Sequence, residues 1–207
     1  MIDNTSDCLL IVDVQNDFCG GGALEVPDGD AVVPVINAIS QKFENRLLTQ
    51  DWHPSGHSSF ASSHDGKSPF ETSEMPYGIQ VLWPDHCVQG SNGAAFHEEL
   101  DITDSQLVIR KGFRKEIDSY SAFYENDQST PTGLTGYLRT RGFSRIFMCG
   151  LATDFCVAYS ALDARKEGFD VVLIEDACRA IDMEGSLQAA LDNMDAAGVH
   201  RITADQL

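Results

Sequence analysis

Long apolar runs are missing from this chain. None approaches the roughly 20 consecutive residues that a membrane-spanning helix needs, so a membrane partner is not expected. Basic residues are scarce: 14 Lys and Arg stand against 32 Asp and Glu, for a formal charge of −18. A surface this acidic repels phosphate, which excludes nucleic acid as a partner. The first residues, Met-Ile-Asp-Asn-Thr-Ser-Asp, have neither the basic lead nor the apolar stretch of a secretory signal, and the expected compartment is the cytoplasm. Internal repeats, low-complexity tracts and a recognisable linker are absent as well. What is present is 43% hydrophobic residues, enough to build a core and to exclude disorder. The expectation is one domain over 1–207, compatible with a homo-oligomer.

Cysteine is sparse, with six residues at 8, 19, 87, 149, 156 and 178. Cys8 and Cys149 lie inside apolar runs, and a domain of this size in a reducing compartment has little use for disulfides. Free thiols are expected, one of which is available for chemistry.

Short apolar runs alternate with helical periodicity. Strands are predicted at Cys8–Val14, Arg46–Gln50, Gln106–Arg110, Arg145–Gly150, Asp170–Glu175 and Val199–Thr203. Helices are predicted at Asp30–Phe43, Pro131–Arg141, Thr153–Lys166 and Glu184–Ala197. Such alternation implies right-handed crossovers and a mainly parallel sheet of six strands in a three-layer α/β/α, Rossmann-like architecture. Ser55–Glu99 breaks the pattern: it is rich in Ser, His, Gly and Pro and shows no long helix. Both Trp and four of the six His fall between Trp52 and His86. An irregular stretch so long is functional or disordered, and its aromatic content favours function.

Ligands of open parallel sheets bind at the carboxyl ends of the strands. Asp13 stands at the end of the first strand, Asp51 and His53 at the second, Lys111 at the third, Asp154 and Cys156 after the fourth, and Glu175 and Asp176 at the fifth. Cys156 falls in the first turn of a helix, where the dipole is expected to lower a thiol pKa; its bland role is a small packing residue. Asp13 ends an apolar run and needs a partner such as Lys111 or a thiol proton, a buried ion pair being the structural alternative. Asp154 reads as a helix cap. In extended Asp51-Trp52-His53, residues i and i+2 point the same way and can converge on one ion, with His57, His64 or His86 supplying a third ligand. Two imidazoles and a carboxylate suit Zn²⁺, Fe²⁺ or Mn²⁺. His64 and His97 read as solvated loop residues, and His200 as structural.

Five blocks in order, IVDVQNDFCGGGAL, QDWHPSGHSSFASSH, LWPDHCVQGSNGAAFH, IRKGF and CGLATDFCV, resemble those of the nicotinamidases within the isochorismatase-like cysteine hydrolases. They span about residues 9 to 160, and the βαβ tail is compatible. The resemblance implies a catalytic triad of Asp13, Lys111 and Cys156 and metal ligands Asp51, His53 and His86, with His57 a further candidate. It implies pyridine-binding Phe18 and Trp83, a pocket position for Tyr120, and a cis Leu151–Ala152 peptide. The backbone N–H groups of Ala152 and Cys156 would form the oxyanion hole. The implied reaction is metal-assisted hydrolysis of nicotinamide to nicotinate and ammonia through a thioester, extending to pyrazinamide, with zinc the foremost ion and iron or manganese as alternatives. A relative cleaving a carbamoyl or ureido group would need the Asp, Lys and Cys but not the metal set. An isochorismatase proper would lack the cysteine. A non-catalytic binding module on the same fold would leave the three unexplained, and no G-x-G-x-x-G follows the first strand.

Overall fold

A computed structural model describes all 207 residues. Its centre is β1 (Asp7–Val12), whose residues DCLLIV are buried throughout, as a strand covered on both faces must be. Parallel partners β2 (Arg46–Asp51), β5 (Leu107–Lys111), β6 (Arg145–Leu151), β7 (Asp170–Arg179) and β8 (His200–Ile202) complete a six-stranded sheet in the order β5-β2-β1-β6-β7-β8. The sheet is flanked by α1 (Val32–Ser40), α2 (Leu134–Arg141), α3 (Ala158–Lys166) and α4 (Ser186–Ala196). The α/β/α architecture is the expected one. Winding reverses between β1 and β6, where Val12 pairs with Gly150, so the segments leaving these two strands diverge and open a crevice.

Boundaries moved where local geometry departs from the regular period. The helix expected from Thr153 opens with a turn of π-helix, Thr153–Val157, before α3 begins. β7 runs on to Arg179, because the register to β6 shifts between Met148 and Gly150 and the strand pairs again at Cys178 and Arg179.

The irregular stretch is packed over the carboxyl end of the sheet. It contains an antiparallel hairpin that periodicity did not reveal, β3 (Thr72–Met75) and β4 (Gly78–Val81). His57, Ser59, Phe60, Trp83, His86 and Cys87 are buried within it. Single bridges tie His53 to Val88, Phe60 to Trp83 and Gln15 to Phe96. No helix is long and apolar enough to cross a membrane, and all six cysteines are unpaired.

Candidate active site and metal centre

Three strand ends meet in the crevice. Asp13, just past β1, has a left-handed φ of 47°, accepts a hydrogen bond from the Thr49 hydroxyl, and receives the Lys111 ammonium at 2.8 Å. Lys111 closes β5 and reaches the Asp51 carboxylate at 2.9 Å, the Ser119 carbonyl at 3.0 Å and the Cys156 sulfur at 3.4 Å. The lysine is wholly buried. One ammonium therefore bridges the carboxylate that ends β1, the carboxylate that ends β2 and the thiol beyond β6.

The electrostatics follow from that burial. Desolvation pulls the Lys111 pKa down, but Asp13 and Asp51 outweigh it and hold the pKa well above the usual lysine value. Desolvation raises Asp13, offset in part by Lys111 and the Thr49 hydroxyl. Burial also raises Cys156 well above an ordinary thiol; Lys111 pulls it down while Asp13 and Asp51 push it up, and a hydrogen bond to Asp13 favours the protonated form. The lowered pKa expected from a helix start is therefore not found. The helix opens with a π turn, and desolvation dominates. At rest the sulfur carries its proton beside a carboxylate that can accept it.

The second constellation shares the crevice. Asp51 Oδ2 lies 2.9 Å from His53 Nε2 and 3.3 Å from His86 Nε2, with all three residues buried. His53 Nδ1 lies 2.9 Å from the Gly112 carbonyl and His86 Nδ1 2.8 Å from that of Pro84. Each ring thus sets Nδ1 against a backbone carbonyl and turns Nε2 toward the Asp51 carboxylate, an arrangement that orients histidines to bind a metal. Both blocks converge because Gln15 bonds the backbone of Asp51 in both directions, at 2.8 Å each way. His57 stacks on His53 with ring centroids 4.3 Å apart, but its Nδ1 pairs with Ser59 Oγ at 2.7 Å and its Nε2 with the Arg114 carbonyl at 2.8 Å. A second triple, His53, His57 and Asp118, also gathers its ligand atoms within 4.8 Å. Both His57 nitrogens are already engaged, so Asp51, His53 and His86 form the better set.

Phe18, Trp83, Tyr120, Phe155 and Cys156 line one cavity with Asp51, His53, His86 and Ala152. It encloses about 350 Å³ of unfilled space, part of it open to solvent. The Trp83 indole donates to the Tyr120 hydroxyl at 3.0 Å and stands edge-on to Phe155 at 5.0 Å. The Leu151–Ala152 peptide is cis, and the Ala152 N–H donates to no group in the chain. The Cys156 carbonyl accepts from Ser160 Oγ at 2.6 Å, and Ser160 in turn receives the Ala122 N–H at 2.8 Å.

A family model described as the isochorismatase domain matches residues 7–206. The chain belongs to the isochorismatase family. Among relatives in that family, the nicotinamidase of Acinetobacter baylyi is 55% identical over 196 residues, covering 95% of this chain and 92% of its own. The solved nicotinamidase/pyrazinamidase of Acinetobacter baumanii superposes with a TM-score of 0.97 at 55% identity, over 100% of both chains. The pyrazinamidase of Pyrococcus horikoshii, solved in complex with zinc, gives a TM-score of 0.78 at 36% identity over 96% of this chain and 99% of its own.

Several isochorismatase-fold residues at this site went unnoticed in the sequence. Thr49 lies on β2, and its hydroxyl holds Asp13. Asp118 is buried and lines the cavity, with Oδ1 3.9 Å from His53 Nε2 and Oδ2 accepting from Gln80 at 2.8 Å. Gly112 has a φ of 64°, and a Cβ there would lie 2.5 Å from the His53 ring. The signal was the Lys-Gly pair within IRKGF, read for its lysine alone. Elsewhere, Asp154 caps no helix. It is buried and accepts from the Ile181 and Asp182 N–H groups at 3.1 and 2.8 Å, anchoring the segment before α4. His64 Nε2 bonds the Ser58 carbonyl at 2.7 Å, and His97 pairs with Asp30 at 3.1 Å rather than standing free in solvent.

Proposed function

We propose that the chain is a nicotinamidase, a cysteine amidohydrolase that converts nicotinamide and water to nicotinate and ammonia and also accepts pyrazinamide. The observation that carries this reading is the Lys111 ammonium joining Asp13, Cys156 and Asp51. On this reading Asp13 is the proton acceptor, Cys156 the nucleophile and Asp51 a metal ligand, and Asp51 and Cys156 line the small aromatic cavity.

In the forward direction Asp13 takes the thiol proton as Cys156 Sγ attacks the carboxamide carbon. The Ala152 and Cys156 N–H groups receive the tetrahedral oxyanion, each donor of this kind being worth roughly 3–4 kcal/mol. Asp13 returns the proton to the leaving nitrogen, so ammonia departs and a nicotinoyl thioester remains. Asp13 then deprotonates the water that attacks the thioester, and the thiol is regenerated. Lys111 holds Asp13 in place and keeps its charge state available. Phe18 and Trp83 flank the ring, and Tyr120 closes the pocket. Asp51, His53 and His86 would hold a divalent cation, zinc foremost by the imidazole and carboxylate donors, with iron or manganese also suited. Such an ion would supply a fixed positive charge for binding the polar edge of the pyridine ring.

The metal ligand set favours this reading over a carbamoyl- or ureido-cleaving relative, which would not need it. The test is ammonia release from nicotinamide by the zinc-loaded protein, with and without a chelator. Turnover that the chelator removes and zinc restores supports the assignment. Turnover of a ureido substrate with none of nicotinamide would replace it.

A further inference from the structure

A second cluster of ligand-bearing side chains lies outside the cavity just described. Cys19 follows the pocket residue Phe18 at the start of the run Gly20-Gly21-Gly22, Asp30 stands at the entry to α1, and His97 lies at the far end of the irregular stretch. Their ligand atoms gather within 4.8 Å of one another. They border an open cleft with Asn16, Asp17 and Glu98.

We propose that Cys19, Asp30 and His97 form a second divalent-cation site, selective for a borderline-soft ion such as Zn²⁺ or Cd²⁺. A thiolate, an imidazole and a carboxylate with an open fourth position are a donor set such ions take. In a tetrahedral zinc site, bond lengths near 2.0–2.3 Å place ligand atoms about 3.3–3.6 Å apart. Asp30 Oδ1 and His97 Nε2 already stand 3.1 Å apart. Asp30 is oriented by the Gly20 N–H, which donates to Oδ2 at 2.7 Å. A Cβ at Gly20 would lie 2.9 Å from that same oxygen, which the Asp30 side chain would have to turn away to relieve. The Cys19 thiol is 2% exposed and makes no hydrogen bond, although it borders the cleft. Burial, with Asp30 beside it, pushes its pKa up to about 12, so the metal-free thiol keeps its proton.

Ion binding breaks the Cys19 S–H bond, forms the S–metal bond and releases that proton to the buffer. The His97 ring proton moves from Nε2 to Nδ1, giving up the 3.2 Å bond that Nδ1 accepts from the Glu99 N–H. Asp17 and Glu98, which also line the cleft, add negative charge that attracts a cation. The ion ties the glycine loop next to Phe18 to the start of α1 and to the 97 segment.

The experiment is a Cd²⁺ titration of chelator-treated, full-length Cys156→Ala protein, a background that removes the thiol of the active site. Two equivalents should bind. The second should bring an ultraviolet sulfur-to-cadmium charge-transfer band and release one thiol proton per ion. Cys156→Ala/Cys19→Ala should bind one equivalent with no such band. Cys156→Ala/His97→Ala changes only a partly exposed side chain, so its circular dichroism should be unchanged. Its second site should weaken at least tenfold, roughly the loss that even outer-shell partners of a metal produce. Absence of the charge-transfer band on saturating the Cys156→Ala protein, a band that survives loss of Cys19, or affinity indifferent to His97 would each overturn the proposal.

Discussion

Replacing Lys111 by Met removes one ammonium and leaves two carboxylates facing each other without it. Asp13 and Asp51 lie 2.8 and 2.9 Å from Nζ, with side chains only 0% and 4% exposed. Breaking one buried pair costs about 3–5 kcal/mol, because the remaining charge is stranded in a medium that solvates it poorly. A zinc ion on Asp51 offsets part of the second loss, so the zinc-loaded variant should lose about 3–5 kcal/mol in urea denaturation. That is a large share of the roughly 5–15 kcal/mol typical of a domain. The stranded group should answer by taking up a proton. Burial already raises Asp13 and Lys111 is the main force lowering it, so without the lysine Asp13 becomes neutral and ceases to be a base. The double variant Lys111→Met/Asp13→Asn has no stranded charge at position 13 and should recover at least about 1 kcal/mol relative to additivity, a coupling typical of residues in contact. Additive losses, or a Lys111→Met penalty below about 1 kcal/mol, the scale of an exposed pair, would refute the reasoning.

Gly112→Ala should lower zinc affinity about 10–100-fold in competition with a chromophoric chelator, since the new methyl would push the His53 ring off the carbonyl that orients it. Glu125 has a pKa raised to about 7 by burial, against 4.5 when free, with Arg114 at 2.8 Å compensating only in part. The folded chain therefore binds more protons here than the unfolded one. This contribution to stability is full below pH 4.5 and is lost as pH rises through about 7. Glu125→Gln should flatten that part of a stability–pH profile measured by thermal melting. Benzamide should be hydrolysed far more slowly than nicotinamide or pyrazinamide by the zinc-loaded enzyme, because a site that binds a polar ring atom rejects an analogue lacking it. Comparable benzamide rates would detach the ion from ring binding.

The alternation of apolar strands with amphipathic helices made the parallel sheet legible, and polar residues at strand ends marked Asp13, Asp51, His53, Lys111 and Cys156 as neighbours. Longer-range facts were not legible. That one ammonium serves both carboxylates depends on β5 lying beside β2, with Lys111 in register with Asp51, and periodicity cannot order strands in a sheet. Thr49 and Gly112 matter through contacts 36 and 59 residues away in the chain. At Cys156 burial outweighs the helix-end dipole, a balance that the local sequence does not display. His97 looked like a loop residue, since nothing nearby in the chain shows that Asp30 sits against it.

The central claim is a covalent thioester on Cys156. Zinc-loaded enzyme mixed with excess nicotinamide, quenched in acid within a turnover and digested, should yield the Cys156 peptide carrying a nicotinoyl group by mass spectrometry. Cys156→Ala should show neither the adduct nor ammonia release, while retaining its fold and its zinc. Ammonia release by Cys156→Ala, or steady turnover of the unaltered enzyme with the acyl group on another residue, would contradict the account.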